Sequence, residues 1–413
     1  MHIVFFNRSF YPDITATSQL LTELCEDLVK NYNCQVQVVA GMPLNPSYCY
    51  SSNHFGGLFI REDFRGINIL RVRNTSFAQK YFLGRILNYL TYFFLSFFAS
   101  FRLKKPDLVI TLTDPPIVAL IGLWLSYRFR VPFIISVRDI FPEAARGLDG
   151  AQNKIMDFLL EHVNRFCFKK ARHVIALGKM MRKRLIEDKG LKPDKISIIS
   201  DWVDTAKIFP VPKKNPFSVT NNICDYFVVM YSGNLGASSG VEVLIESARL
   251  LKDYKDILFV FIGEGIKKER LIKLNSSYQL KNTRFFTYQP QEVLSYSFSS
   301  ADIFVVPLKK GLSGYSLPSK IYAILASGRP YIATVEPESE ISEITKNFEC
   351  GILAKPEDPK DLADKITFFY KNKELAAKMR ENARKAAFLF DRHLGTQAYY
   401  ELFQRLLSAK KSF

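Results

Sequence analysis

The stretch Gly311–Pro330 reads GLSGYSLPSKIYAILASGRP. It follows Ile303-Phe304-Val305-Val306-Pro307, an apolar run with the length and composition of a buried parallel strand closed by a proline. The pattern then predicts a polar loop and a helix from about Lys320 to Ser327. Ser319 would be the N-cap, with Gly328 and Pro330 as the stop. Strand, loop and helix in that order make one unit of a doubly wound α/β sheet, whose ligands bind beyond the carboxyl ends of the strands. Backbone N–H groups and the helix dipole favour an anion there. Lys320 adds a full positive charge in the first helical turn, where a cation is ordinarily disfavoured, and a partner phosphate would account for it. The plain alternative is a loop carrying a solvated lysine.

Outward from this stretch, the same alternation fills the chain. In the second half Phe227–Ser232, Ile257–Ile262, Thr283–Phe286, Tyr331–Thr334 and Gly351–Ala354 read as strands, Val241–Leu251 as a helix, and everything from about Pro359 as helical. In the first half Met1–Phe6, Gln35–Ala40, Ile67–Val72, Pro106–Thr111, Pro132–Val137, Val174–Ala176 and Ile196–Ile199 read as strands, and residues 41–65 as loop-rich. Ser18–Asn31, Ile117–Arg128 and Asn153–Lys170 have helical periodicity. The last carries Ile155, Phe158, Leu159, Val163 and Phe166 on one face, expected to pack on the sheet. Phe209–Pro216 holds three prolines in eight residues and is the best boundary. The expected domains are 1–206 and 207–391, with a last helix, 392–413, crossing back to the first. The fold class is α/β, two doubly wound Rossmann-like domains facing a cleft.

Composition narrows the function. The chain has 413 residues, 48% hydrophobic and 23% charged, which is globular rather than disordered. Fifty-seven Lys and Arg against 40 acidic residues give a net charge of +17. That excess suits phosphorylated substrates, an anionic membrane or nucleic acid, but no RNP, helix-turn-helix or zinc-finger pattern supports the last. The six cysteines lack paired spacing and read as free thiols in a reducing cytoplasm, while the five histidines form no cluster, so no metal is expected. The sequence opens directly on a strand, with no signal peptide expected. Ile86–Phe101, bracketed by Arg85 and Arg102, falls short of the roughly 20 residues that cross a bilayer. It reads as a buried or interfacial helix, favouring peripheral contact over spanning.

Four loops of the second half should converge beyond the sheet: Ser232–Gly240, Gly263–Gly265, Thr287–Gln291 and Gly311–Lys320. The first has three glycines within eight residues, Gly233, Gly236 and Gly240, which permits close backbone approach to a diphosphate. It is neither GxGxxG nor a Walker loop, which argues against dinucleotides and P-loop chemistry. Glu264 is placed to accept from a sugar or ribose hydroxyl, or is a solvated turn residue. In the first half the corresponding loops hold Tyr11, Asp13, Asp114, Arg138, Asp139 and Glu143. Acidic groups there suit binding or deprotonating an acceptor hydroxyl, although Asp139 and Glu143 would also serve as helix caps.

With these residues assembled, the chain resembles glycosyltransferases of family 4, GT-B fold, nearest to bacterial O-antigen, capsule, colanic-acid and fucosamine-type transferases. The matching pieces run through nearly the whole chain: FYPD (Phe10–Asp13) with SQLLTEL (Ser18–Leu24), VRDIFPE (Val137–Glu143), DWVD (Asp201–Asp204), YSGNLG (Tyr231–Gly236), FIGEG (Phe261–Gly265), Ala301-Asp302, and the opening stretch. The resemblance implies a metal-independent, retaining transfer from a nucleotide diphosphate sugar, most often a UDP-sugar, with no cofactor. The acceptor would be a polyprenyl-diphosphate-linked glycan at the cytoplasmic membrane face, reached by a cytoplasmic, peripheral protein that binds no nucleic acid. It implies a donor site of Gly233, Asn234, Gly263, Glu264, Gly265, Tyr288, Tyr315, Ser316, Pro318, Ser319 and Lys320. Asp139, Lys320 and Asp13 would be catalytic, with Tyr11, Arg138 and Glu143 on the acceptor side.

The sequence departs from the family pattern in three places. Asn234 and Ser239 stand where the donor loop commonly has Arg and Lys, which leaves Lys320 to supply the phosphate charge. Tyr315 and Ala323 replace the Glu-x7-Glu pair, with Glu264 a substitute for ribose. Arg138 replaces a histidine before Asp139. A catalytically silent subunit and a nucleotide-sugar epimerase of the same fold are the alternatives.

Overall fold

The computed structural model describes residues 1–43, 57–77, 82–146 and 154–408. The chain divides into two compact units. Residues up to 146, 154–200 and from 393 form the first, and residues 201–392 the second.

The first unit is built on an eight-stranded sheet of β1 (His2–Phe6), β2 (Gln35–Gly41), β3 (Phe59–Phe64), β4 (Ile67–Val72), β5 (Leu108–Thr111), β6 (Phe133–Ser136), β7 (His173–Ala176) and β8 (Ile196–Ile198). Their order is β3-β4-β2-β1-β5-β6-β7-β8. Among the described residues only edge strand β3 runs antiparallel to its neighbour. The residues of β5, β6 and β7 are all buried, as expected of parallel strands covered on both faces by helices. The order reverses between β1 and β5, which puts the unit's switch point at the loops that follow those two strands.

The C-terminal helix, Arg392–Ser408, belongs to this unit from His393 on. Its Tyr399 hydroxyl lies 2.8 Å from Ser136 Oγ at the end of β6, and Tyr400 stacks on Tyr32 with ring centres 4.1 Å apart.

Strand β3 occupies the end of the stretch 41–65 that reads as loop-rich, of which residues 44–56 lie outside the described residues. Its FIREDF sequence alternates half-buried and exposed positions, and the charged residues that suit a sheet edge hide the strand pattern. A correction concerns the helix Lys154–Lys170. Ile155, Phe158, Leu159 and Phe166 do not pack on the sheet but are 73%, 62%, 59% and 49% exposed, while Asn164, Cys167 and Phe168 face inward. The helix Phe82–Ser100 likewise turns Leu83, Leu87, Leu90, Phe94 and Phe98 outward and buries Tyr92 and Ala99. Among the described residues no helix is long and apolar enough to cross a membrane.

The second unit has six parallel strands, β9 (Phe227–Ser232), β10 (Ile257–Ile262), β11 (Thr283–Phe286), β12 (Ile303–Pro307), β13 (Tyr331–Thr334) and β14 (Gly351–Ala354), ordered β11-β10-β9-β12-β13-β14. Alternate residues feed two cores. Val229, Phe259, Phe261 and Val305 pack beneath the helices Glu242–Leu250 and Pro359–Lys371. Val228, Met230, Val260 and Val306 pack on the other face with the helix Lys320–Ala326 and with Ala383, Ala386 and Ala387. The switch point here lies between β9 and β12.

The proline-rich stretch is not the boundary. Phe209 N–H donates to Ser295 Oγ at 3.2 Å, and Val211 N–H to Ser299 Oγ at 3.0 Å. Asn215 closes a capping box on the helix that Pro216 begins. The prolines hold an extended segment against the second unit, and the division falls at Ser200/Asp201 instead of 206/207.

Candidate functional site

In the second unit the switch-point loops touch. Gly233 N–H donates to Ile262 O at 2.9 Å, and Leu235 N–H to Glu264 O at 2.8 Å. The approach is so close that a Cβ on Gly263 would sit 2.0 Å from Gly233 O, and both glycines have the positive φ that side chains resist (147° and 137°). A Cβ on Gly265 would lie 2.5 Å from Leu235 O. The glycines of FIGEG therefore let one loop lie on the other, a packing reason that stands beside any contact with a ligand.

From the other side of the switch point comes the opening stretch. Gly311 and Gly314 take positive φ (82° and 79°), and Ser313 and Ser316 form an isolated bridge that folds the loop on itself. Tyr315, Ser316, Pro318 and Ser319 are half-buried along it. The helix begins at Lys320, as its pattern predicts, but Ser319 is not its cap. Its backbone is already helical (φ −60°, ψ −17°) and its side chain caps no N–H.

Lys320 is what joins the two loops. Its Nζ lies 3.7 Å from the centre of the Tyr231 ring, and its Cε and Nζ each lie 3.1 Å from where a Cβ on Gly233 would be. The residue is half-buried, and removal from water brings its ammonium from 10.5 down to about 7. No carboxylate pairs with it among the described residues, whereas Lys267 is held by Glu242 at 2.9 Å and Lys213 by Asp302 at 2.5 Å. A desolvated cation beside a glycine loop, with no counter-charge, has the electrostatics that an anion would complement.

The other predicted donor residues are less engaged. Asn234 is exposed, and its carbonyl accepts from the Tyr231 hydroxyl at 2.6 Å. Glu264 sits on an exposed turn with its carboxylate on Lys268 at 2.5 Å. Tyr288 lies over the same turn, and burial pushes its phenol up.

In the first unit the loops after β1, β5 and β6 meet. Arg8 and Asp114 form an ion pair at 3.3 Å, and Ser9 Oγ donates to Asp114 at 3.2 Å. Arg138 and Asp139 N–H groups donate to Thr113 Oγ1 at 3.0 and 3.3 Å, which fixes the loop carrying Asp139 to the end of β5. Asp13 is buried, and Tyr11 stacks on Phe64 at 3.7 Å.

Sequence reasoning passed over Arg8, Thr113 and Tyr89. Arg8 lies 5.6 Å from the Tyr89 ring centre, and burial together with Asp114 pushes the Tyr89 phenol up to about 12, so it stays a donor at neutral pH. Within the aromatic run of its helix nothing marked Tyr89 apart from its lipid-like neighbours.

Glu143 is tied into its own unit by an ion pair. Both its oxygens bind the fully buried Lys189, at 2.9 and 2.8 Å, and Glu161 and Phe141 O complete the shell. The cluster anchors the Arg138–Glu143 loop to the helix Lys154–Lys170, where Asn164 also donates to Phe141 O at 3.0 Å. Among the described residues no group of three or more His, Cys, Asp or Glu side chains is placed to hold a metal ion.

Two doubly wound α/β units, the first taking back the last helix, define a GT-B protein. Residues 18–207 match the model of Glycosyltransferase Family 4, and residues 214–386 that of Glycosyl transferases group 1. The chain belongs to these glycosyltransferases. It is 27% identical over 264 residues to a Pseudomonas aeruginosa protein described as glycosyltransferase WbjE, spanning 63% of this chain and 66% of that one. It is 25% identical over 368 residues to an Escherichia coli protein described as the colanic acid biosynthesis glycosyl transferase WcaI, 86% of this chain and 89% of the other. It is also 25% identical over 289 residues to the N,N'-diacetylbacillosaminyl-diphospho-undecaprenol alpha-1,3-N-acetylgalactosaminyltransferase of Campylobacter jejuni, 69% of this chain and 72% of the other. Among solved structures, HepE from Anabaena in complex with UDP superposes with a TM-score of 0.71 at 14% identity, covering 98% of this chain and all of the other.

Proposed function

We propose that the protein is a retaining, metal-independent glycosyltransferase of bacterial surface polysaccharide synthesis. It moves a sugar from a UDP-sugar to a polyprenyl-diphosphate-linked glycan at the cytoplasmic membrane face. The observation that carries this reading is the unpaired, desolvated ammonium of Lys320 against the Gly233 loop. In transfer, the bond from the anomeric carbon to the UDP phosphate oxygen breaks as the bond to the acceptor hydroxyl oxygen forms. Lys320 offsets the charge that develops on the leaving diphosphate. The hydroxyl proton passes to the leaving phosphate oxygen or to Asp139, with Asp13, Tyr11 and Arg138 shaping the acceptor side. Gly233, Asn234, Gly263, Gly265, Tyr288, Tyr315, Ser316, Pro318 and Ser319 line the donor, and Glu264 takes the ribose by exchanging its Lys268 partner.

The names of the relatives support this reading: one acts on a diphospho-undecaprenol acceptor, and HepE is seen with UDP. The membrane contact is supported by the outward apolar faces of Phe82–Ser100 and Lys154–Lys170. Between them Phe101 packs on Trp124 at 6.0 Å, with Arg128 over the Phe101 ring at 5.1 Å. Exposed apolar side chains among basic ones suit an anionic bilayer surface.

The test is calorimetry and thermal shift with UDP, GDP, ADP and TDP, with and without EDTA. A selective UDP response that EDTA leaves intact is expected. Silence towards every nucleotide would refute the donor reading and leave the silent subunit in its place.

A further inference from the structure

We propose that Tyr231 is the positioning residue that presents Lys320 to the donor diphosphate, an inference that rests on the donor reading above. Tyr231 lies one residue from the end of β9, fully buried, with its ring face 3.7 Å from the Lys320 ammonium. Its hydroxyl donates to Asn234 O at 2.6 Å. One side chain thus touches both parts of the site: the ring meets the charge, and the hydroxyl pins the loop on which the phosphate would rest. Burial pushes the phenol well above its ordinary value, so the hydroxyl remains a donor at neutral pH.

The choice of an aromatic ring at this place has a chemical consequence. An ammonium removed from water needs a counterpart, and the other lysines of this unit that are similarly shielded use carboxylates. A carboxylate beside Lys320 would neutralise it and compete with an incoming phosphate. The negative face of an aromatic ring holds a cation more weakly and leaves its charge uncancelled. The lysine is therefore kept against Gly233 while remaining available to an anion. The titratable groups that act on Tyr231 are Tyr288 and Glu242, and burial alone moves Lys320.

The experiment is UDP calorimetry on Tyr231→Leu and Tyr231→Phe, each made with Lys320 intact and with Lys320→Met. With Lys320 intact at pH 7, Tyr231→Leu should weaken UDP binding about five- to thirtyfold, the worth of a desolvated cation–π contact. In the Lys320→Met background the ring's share of that loss should vanish, leaving only the loss that Tyr231→Phe shows with Lys320 intact, because the ring's coupling partner is gone while the hydroxyl's hold on Asn234 O is not. Losing the ring also removes a group that favours the charged lysine, so UDP affinity should begin to fall at a lower pH in Tyr231→Leu. Tyr231→Phe keeps the ring and should keep the wild-type pH midpoint. Tyr231→Met, unbranched and without a ring, replaces Leu if that variant melts early. Equal losses in both lysine backgrounds, or a Phe variant that behaves like Leu, would overturn the inference while leaving the effect of Lys320→Met intact. If Lys320→Met itself binds UDP as the wild type does, the donor reading fails, and the positioning role with it.

Discussion

Replacing Lys320 by methionine keeps the length of the side chain and deletes its charge, and the structure gives the sign of two opposite effects. A charge-assisted contact to phosphate contributes about 1.5–3 kcal/mol, so UDP binding should weaken about ten- to hundredfold at pH 7 and below. In the free protein the lysine titrates near 7 because burial disfavours its cation, while a bound phosphate favours the cation and raises that value. Wild-type UDP affinity should therefore be highest below pH 7. It should fall by about tenfold per pH unit above 7, until it meets the affinity of the variant near pH 8–9.

Stability should move the other way. A lysine whose value is lower in the folded than in the unfolded state leaves the unfolded chain binding more protons between about 7 and 10.5. Stability thus rises with pH across that window, and the penalty is complete below 7. The full shift corresponds to a ceiling of about 5 kcal/mol, and the residue's partial exposure brings the expected gain from Lys320→Met to about 1–2 kcal/mol at pH 6.5. The assays are calorimetric UDP titrations from pH 6.5 to 9.5 and melting curves over the same range. A flat wild-type affinity from pH 7 to 9, or a variant less stable than wild type at pH 6.5, would refute the reasoning.

Three further outcomes are expected. Gly263→Ala forces a Cβ to 2.0 Å from Gly233 O at a φ of 147°, so it should lower stability by at least about 2 kcal/mol and abolish UDP binding; a normal melting temperature with full binding would contradict the loop packing. Lys189→Met strands Glu143 and Glu161 around a vacated ammonium, which should cost about 3–5 kcal/mol in urea unfolding. The Glu161 carboxyl is lowered because hydrogen bonds from Lys189 and Arg165 outweigh the effect of burial, so this cluster's contribution should be lost as pH falls through the acid range. Leu83, Leu87, Phe94 and Phe98 are exposed on one helix; changing them together to Ser or Gln should reduce sedimentation with phosphatidylglycerol vesicles at least about tenfold without moving the melting temperature. Unchanged sedimentation would dismiss that surface as the membrane contact.

What could be read from the sequence, and what could not, follows from the range of the interaction each feature depends on. The six strands of the second unit stand where their apolar runs place them, because a parallel strand covered on both faces needs nearly continuous apolar residues and declares itself locally. Edge strand β3 depends on a partner for only one row of hydrogen bonds, tolerates charge, and left no such mark. Lys320 was conspicuous because a cation in a first helical turn violates a local rule. Tyr231 was not, since a tyrosine at the end of an apolar strand reads as core until the position of the lysine is known. The same limit hid Lys189. Nothing near it in sequence announces that Glu143 and Glu161 converge on one ammonium.

The helix Lys154–Lys170 erred in the opposite direction. Its periodicity was read correctly, but periodicity says only that one face is apolar, not that protein covers it. The inward residues are instead Asn164, Cys167 and Phe168, and Asn164 donates to Phe141 O in the loop that carries Asp139. One helix therefore holds the Arg138–Glu143 loop through its inward side and leaves its apolar side exposed. That division of labour is what a transferase needs if its acceptor is tethered to a membrane.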